Sequence, residues 1–328
     1  MTKTDQPHYK YYKDQQLSII KAPFCGGQAK LGVEKGPRYL LKAGLESDLN
    51  GLGWNTIIES PLDESEIRQQ MVADDPTDKY LNAKRPRFVG ESNEKIYNCI
   101  KEKVLAFDRF PLTIGGDHSI GMATVSATLE KFPNAGLLWV DAHTDIHTIE
   151  TTDTGNIHGC PVSFLLGLNK NLNGVPKSFD WVPGNLRPEK IAYIGLRSVD
   201  PAERKILRDL GISAFSMYHI DKFGINKVIE MALESIHPDT NGDGPIICSF
   251  DVDAIDPLFV PATGVPVKGG LTLREGLFVA ERLAETGNLV SLDVVECNPE
   301  LVTDGKHLFD SVEAGCAIAR CALGETLL

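Results

Sequence analysis

Short apolar runs recur along the chain at residues 17–22, 112–114, 136–140, 191–194, 246–250 and 289–295. Each has strand length and strand-type residues. Between them lie amphipathic segments of helical length, at 94–107, 122–131, 202–210, 224–236 and 273–285. Alternation of this kind predicts a parallel sheet with helices on both faces. Residues 60–93 are polar, charged and punctuated by Pro61, Pro76 and Pro86, which reads as a partly helical surface insertion. Residues 151–155 and 169–185 read as long loops, and no internal repeat or low-complexity tract interrupts the pattern.

Charged chemistry gathers where these runs end. Asp141-Ala142-His143-Thr144-Asp145 follows the run at 136–140, and Ser249-Phe250-Asp251-Val252-Asp253 closes the run at 246–250. Gly115-Gly116-Asp117-His118-Ser119 follows the run at 112–114. A single DxD pair at a strand end is usually a turn or cap. Three such runs at one edge differ, because open α/β sheets bind ligands at the carboxyl ends of their strands.

Asp141, Asp145, Asp251 and Asp253 with His118 and His143 make four carboxylates and two imidazoles. That set suffices for two divalent ions sharing bridging carboxylates, and its oxygen-rich character suits manganese. Two ions roughly 3.5–4 Å apart are the usual means of making hydroxide from water near neutral pH.

Two further residues fit beside such a centre. His158, in Gly155-Asn156-Ile157-His158-Gly159, is a candidate proton carrier, although alone it would read as a satisfied loop histidine. Glu296, in Asp293-Val294-Val295-Glu296-Cys297-Asn298-Pro299, ends an apolar run and would be a costly buried charge without a cationic partner. A guanidinium or ammonium of the substrate would supply one.

Composition narrows the setting. The chain has 328 residues, 42% hydrophobic and 24% charged, ordinary for a protein with a large core. The metal-type runs span 115–253 and must converge, so residues 1–328 read as one domain. A net charge of −12 argues against nucleic acid or an anionic membrane surface as partner. No apolar run reaches membrane-spanning length, and residues 1–16 carry no signal-peptide core. Seven cysteines without CxxC pairing suggest reduced, buried thiols and a cytoplasmic location.

The four motifs, Gly115 to Ser119, Asp141 to Asp145, Ser249 to Asp253 and Glu296 to Pro299, resemble the signatures of the arginase/agmatinase ureohydrolases. The resemblance runs along essentially the whole chain and is nearest to fungal arginases, including Tyr11-Tyr12-Lys13 and the tail from Gly315 to Leu328. It implies a single three-layer αβα domain with a central eight-stranded parallel sheet, two Mn²⁺ per subunit, a small guanidino substrate and a homotrimer or hexamer. By motif, His118, Asp141, Asp145 and Asp251 hold the first ion. Asp141, His143, Asp251 and Asp253 hold the second. The resemblance also implies that Asp145 passes a proton to the leaving amine, Glu296 grips the guanidinium, and His158 exchanges protons with solvent.

The substrate end departs from the arginase pattern. His147 and Thr154 stand where arginases carry Asn and Ser, beside Asn156; Ser198 replaces an Asp; Val265 replaces a threonine; Ala254 replaces a glycine. Asp200 and Glu203 match. The changes at His147, Thr154 and Ser198 lead to an expectation of a substrate lacking an α-amino group, 4-guanidinobutanoate, hydrolysed to 4-aminobutanoate and urea. L-Arginase with altered loops is the nearest alternative, followed by agmatinase. A non-catalytic regulatory relative and a one-zinc deacetylase are readings of other classes. The complete ligand set, with His158 and Glu296, disfavours the idle relative, and the doubled aspartate runs disfavour the deacetylase.

Overall fold

All six strand-type runs form strands in the computed structural model, which describes residues 9–170 and 172–326. They are β1 (Gln16–Ala22), β5 (Phe110–Gly115), β6 (Gly136–Val140), β7 (Ile191–Leu196), β9 (Ile246–Asp251) and β10 (Leu289–Val295). Two more strands, β2 (Asn55–Glu59) and β8 (Ser213–Ser216), complete a parallel sheet of eight in the order β2-β1-β5-β10-β9-β6-β7-β8. Both additions are edge strands, partly exposed and carrying polar residues, so they lack the continuous apolar signature of the buried five from β5 to β10. A short antiparallel ribbon, β3 (Lys79–Tyr80) with β4 (Ala83–Lys84), stands apart.

Eleven α-helices, besides short 3-10 turns and one π-helical turn, accompany the strands among the described residues: α1 (Gly36–Lys42), α2 (Leu45–Gly51), α3 (Glu64–Ala73), α4 (Pro86–Cys99), α5 (Gly121–Lys131), α6 (Pro161–Leu165), α7 (Pro201–Leu210), α8 (Met217–Phe223), α9 (Ile225–Ile236), α10 (Leu273–Thr286) and α11 (Gly305–Ala322). Strand side chains alternate between two cores. Leu17 and Ile19 of β1 join the core made with α1, α2, α9, α10 and α11, while Ile20 and Ala22 join the core made with α3, α4 and α5. The result is the expected helix–sheet–helix arrangement.

Several helices depart from the expectation: α1, α2, α6 and α8 form where none was expected, and α4 and α11 differ for reasons the sequence explains. α4 starts at Pro86, eight residues before the amphipathic segment, because proline's fixed φ and missing N–H suit the first helical turn. α11 was not expected at all: its stretch Ala314-Gly315-Cys316-Ala317-Ile318-Ala319 is buried nearly all round, so no polar face marks the helical period.

Residues 60–93 also sit closer to the sheet edge than a surface insertion would. Lys84 N–H donates to Gly155 O at 2.9 Å, and the buried Arg85 guanidinium donates to Gln28 O at 2.7 Å. The ribbon thereby braces the loops over the strand ends. Among the described residues no helix is long and apolar enough to cross a membrane, and all seven cysteines are buried and unpaired. Met1–His8, where a signal peptide would begin, Asn171 within the loop 169–185, and the tail end at Leu327 and Leu328 lie outside the described residues.

Candidate binuclear metal site

Sheet register sets the site. Val140 pairs with Phe250, Asp251 with Val295, and Ile114 with Val294. The ends of β6, β9, β10 and β5 are therefore level, and the residues that follow share one edge. At β5 the chain turns through Gly116, where a Cβ would lie 2.1 Å from Phe24 O, so only glycine fits. Asp117 fixes the turn, accepting from Ser119 N–H at 3.1 Å and from Gly27 N–H at 2.7 Å, and presents His118 inward.

Three carboxylate oxygens converge on His118 Nδ1: Asp141 Oδ2 at 3.0 Å, Asp145 Oδ2 at 3.2 Å and Asp251 Oδ2 at 3.3 Å. His143 Nδ1 faces Asp141 Oδ1 at 3.3 Å and Asp253 Oδ2 at 3.2 Å. Asp141 thus turns one oxygen to each imidazole, as a bridging ligand must. His118, Asp141 and Asp251 form one group with metal-ligand spacing, and Asp141, His143 and Asp253 a second. Asp251 joins the first group through Oδ2, and its Oδ1 accepts from Asp253 N–H at 2.7 Å.

The electrostatics fit cations. Burial, with the Asp141 charge adding to it, pushes Asp253 up to about 7 and Asp145 up to about 6. Burial and the charges of Asp253 and Asp141 push Asp251 well up too. Four carboxylates cannot all ionise here unaided. Burial works against the His143 imidazolium, but contacts with Asp141 and Asp253 outweigh it and raise the ring to about 12. His118 Nδ1 and His143 Nε2 are buried without a hydrogen-bond partner. Two divalent ions would balance the four negative charges and reverse this titration.

Neighbouring groups hold the ligands. Trp139 Nε1–H donates to Asp141 Oδ2 at 3.0 Å, and its indole stacks on the His118 ring at 3.9 Å. His118 Nε2 lies 2.9 Å from Ser249 Oγ, whose hydroxyl donates to buried Asp293 at 3.0 Å. Asp145 and Glu296 are both non-glycine residues at positive φ, +48° and +65°, which places backbone strain at the site.

Glu296 finds its cationic partner within the protein. It accepts from His118 N–H at 2.9 Å and Gln28 Nε2–H at 2.8 Å, and its Oε1 lies 3.0 Å from His158 Nδ1. Burial opposes the Glu296 charge, but the His158 contact outweighs it and holds the carboxyl below the usual glutamate range. Against its own burial, His158 is raised by Glu296 to about 9.

The expected substrate residues His147, Thr154, Asn156, Asp200, Glu203 and Val265 line one cavity of about 260 Å³, together with His143, Asp145, His158 and Glu296. This volume suits a ligand of amino-acid size. Asn156 Oδ1 is buried there without a partner. Asp200 caps α7, and His147 Nε2 lies 2.6 Å from its Oδ2. Gln28, Trp139, Ser249 and Asp293 are the contributors that sequence reading gave no role. Gln28 sits in a loop with no distinguishing pattern, whereas a carboxylate inside the apolar β10 was itself a signal of a buried partner.

A binuclear, carboxylate-rich centre at the edge of an eight-stranded parallel sheet defines a metal-dependent hydrolase architecture. The chain belongs to the arginase family, whose model matches residues 15–324. It is 61% identical to an arginase of Saccharomyces cerevisiae, over 98% of this chain and 99% of that one. An arginase of Eremothecium gossypii is 58% identical, over 100% of this chain and 80% of that one. The native arginase structure from Bacillus caldovelox superposes with a TM-score of 0.83 at 31% identity, covering 96% of this chain and all of that one.

These relatives overturn the expectation of a 4-guanidinobutanoate hydrolase. Proteins this similar over nearly the whole chain are arginases, so the loop substitutions do not by themselves define another substrate. The geometry supplies a reason: His147 Nε2 is turned to Asp200 Oδ2 at 2.6 Å, so it is already engaged and not free to meet a shorter carboxylate.

Proposed function

We propose that this chain is an L-arginase, hydrolysing L-arginine with water to L-ornithine and urea. The observation that carries the reading is the 61% identity to an arginase along 98% of the chain. Two Mn²⁺ ions are the metals that the oxygen-rich donor set suits. His118, Asp141, Asp145 and Asp251 would hold one; Asp141, His143, Asp251 and Asp253 would hold the other. Bound there, the ions supply a water of lowered pKa as nucleophile.

The remaining chemistry falls to side chains. Glu296, oriented by Gln28 and the His118 N–H, meets the guanidinium through charge-assisted hydrogen bonds. Asp145 Oδ1, the oxygen turned away from His118, takes the proton of the attacking water and returns it to the leaving amine. His158 exchanges protons with solvent through Nε2, since Nδ1 is engaged with Glu296. At the other end, Asp200 and Glu203 receive the α-ammonium, and Thr154 and Asn156 the α-carboxylate. Holding both ends fixes the guanidinium carbon against the nucleophile, which a resonance-stabilised electrophile requires. His147 and Val265 shape the cavity wall. A cytoplasmic homo-oligomer, a trimer or hexamer, accompanies this reading and is checked by sedimentation.

Mn²⁺-loaded protein given L-arginine should release urea and ornithine in equal amounts, and chelator-stripped protein should release neither. Absence of both products from protein holding two Mn²⁺ would refute the assignment.

A further inference from the structure

We propose that His147 Nε2, Asp200 Oδ2 and Glu203 Oε1 form a third divalent-cation site in the cavity wall, separate from the binuclear pair. These three groups have metal-ligand spacing, at 2.6 Å from His147 to Asp200 and 3.7 Å from His147 to Glu203. A tetrahedral ion with bonds of about 2.0–2.1 Å sets its ligands about 3.3 Å apart, between the two observed distances. All three ligand atoms lie within 4.8 Å of one another.

Each donor is already held from behind. Asp200 Oδ1 accepts from Ala202 N–H at 2.8 Å and Glu203 N–H at 3.0 Å, leaving Oδ2 for the site. Glu203 Oε2 accepts from Asp200 N–H at 3.0 Å. Its Oε1, on a side chain more than nine-tenths buried, accepts no hydrogen bond among the described residues and points to His147. His147 Nδ1 lies 3.3 Å from Thr151 Oγ1, which orients the ring so that Nε2 faces both carboxylates. Outer partners that fix the unused atom of every ligand are the mark of a pre-organised metal site.

One imidazole with two carboxylates suits a borderline ion such as Zn²⁺. A fourth position stays open to the cavity. An ion there would take both carboxylates away from the substrate's ammonium, so it would act as an inhibitor competing with substrate. That consequence rests on the arginine reading above; the binding site itself does not.

The test is a metal count. Mn²⁺-loaded protein dialysed against low Zn²⁺ should gain one Zn²⁺ per chain and keep two Mn²⁺. His147→Asn and Glu203→Gln, the latter keeping the helix-cap acceptor, should each keep two Mn²⁺ and bind Zn²⁺ at least about tenfold more weakly. Zn²⁺ uptake matched by Mn²⁺ release, no uptake, or equal uptake by both variants would overturn the proposal. A variant unable to hold two Mn²⁺ would count against the separation of the sites. These counts need no turnover, so an inactive protein that gains the third ion would sink the arginine assignment and leave this site standing. With active protein, Zn²⁺ should raise the KM for arginine in the wild type and less so in His147→Asn.

Discussion

Ser249 Oγ lies 2.9 Å from His118 Nε2 and donates its own proton to Asp293. The serine oxygen therefore accepts the imidazole N–H, which leaves Nδ1 bare toward Asp141, Asp145 and Asp251. The relay sets the tautomer that a metal ligand needs. Ser249→Ala should weaken Mn²⁺ binding about 10–100-fold while the fold persists, as read by Mn²⁺ titration. Unchanged affinity would show that ring stacking on Trp139 suffices.

Trp139 has two tasks that one substitution separates. Trp139→Phe keeps an aromatic face under His118 but removes the N–H donor to Asp141 Oδ2. The cost should be about 1–3 kcal/mol in metal-free protein, the penalty of a buried charged acceptor losing a partner. Denaturant unfolding measures it, and a loss below about 0.5 kcal/mol would mean the indole N–H contributes nothing there.

The His158–Glu296 pair gives a pH signature. Contact with Glu296 raises His158 from 6.5 to about 9 in the folded chain. Its contribution, at most about 3 kcal/mol, is fully present below the unfolded pKa and is lost as pH rises through the folded one. In metal-free protein, the stability gap between wild type and His158→Asn should be wide near pH 6 and nearly closed by pH 10. A gap independent of pH would show that the imidazolium form is not the one that stabilises.

Gly155 joins the ribbon to the active-site loop. Its φ is +75°, and a Cβ there would lie 1.9 Å from Asn82 O. Gly155→Ala should displace the loop that carries Asn156 and His158. The expected loss exceeds about 1 kcal/mol, the combined effect of strain and clash. A thermal melt matching wild type would show that the ribbon yields freely.

Much of this architecture was legible in the chain. Buried strands announce themselves because both faces are apolar, and carboxylates just past their ends had to share an edge once the sheet was parallel. Edge strands β2 and β8 carry polar residues and gave no such signal. α11 hid because small residues on every side erase helical periodicity. Within the site, ligand identity followed from residue type and spacing. Partners such as Gln28, 268 positions from Glu296, depend on tertiary packing that no local pattern encodes. The substrate end misled for the same reason: His147 looked like a free donor for a carboxylate until the fold set it against Asp200. Nothing in the structure explains why Val265 stands where arginases carry threonine.

The most direct measurement is kcat/KM of Mn²⁺-loaded protein for L-arginine, agmatine and 4-guanidinobutanoate, with metal content determined on the same sample. An arginase built on this site should hold two Mn²⁺ per chain and turn over arginine with the highest kcat/KM of the three. A higher value for either of the other two compounds would contradict the assignment.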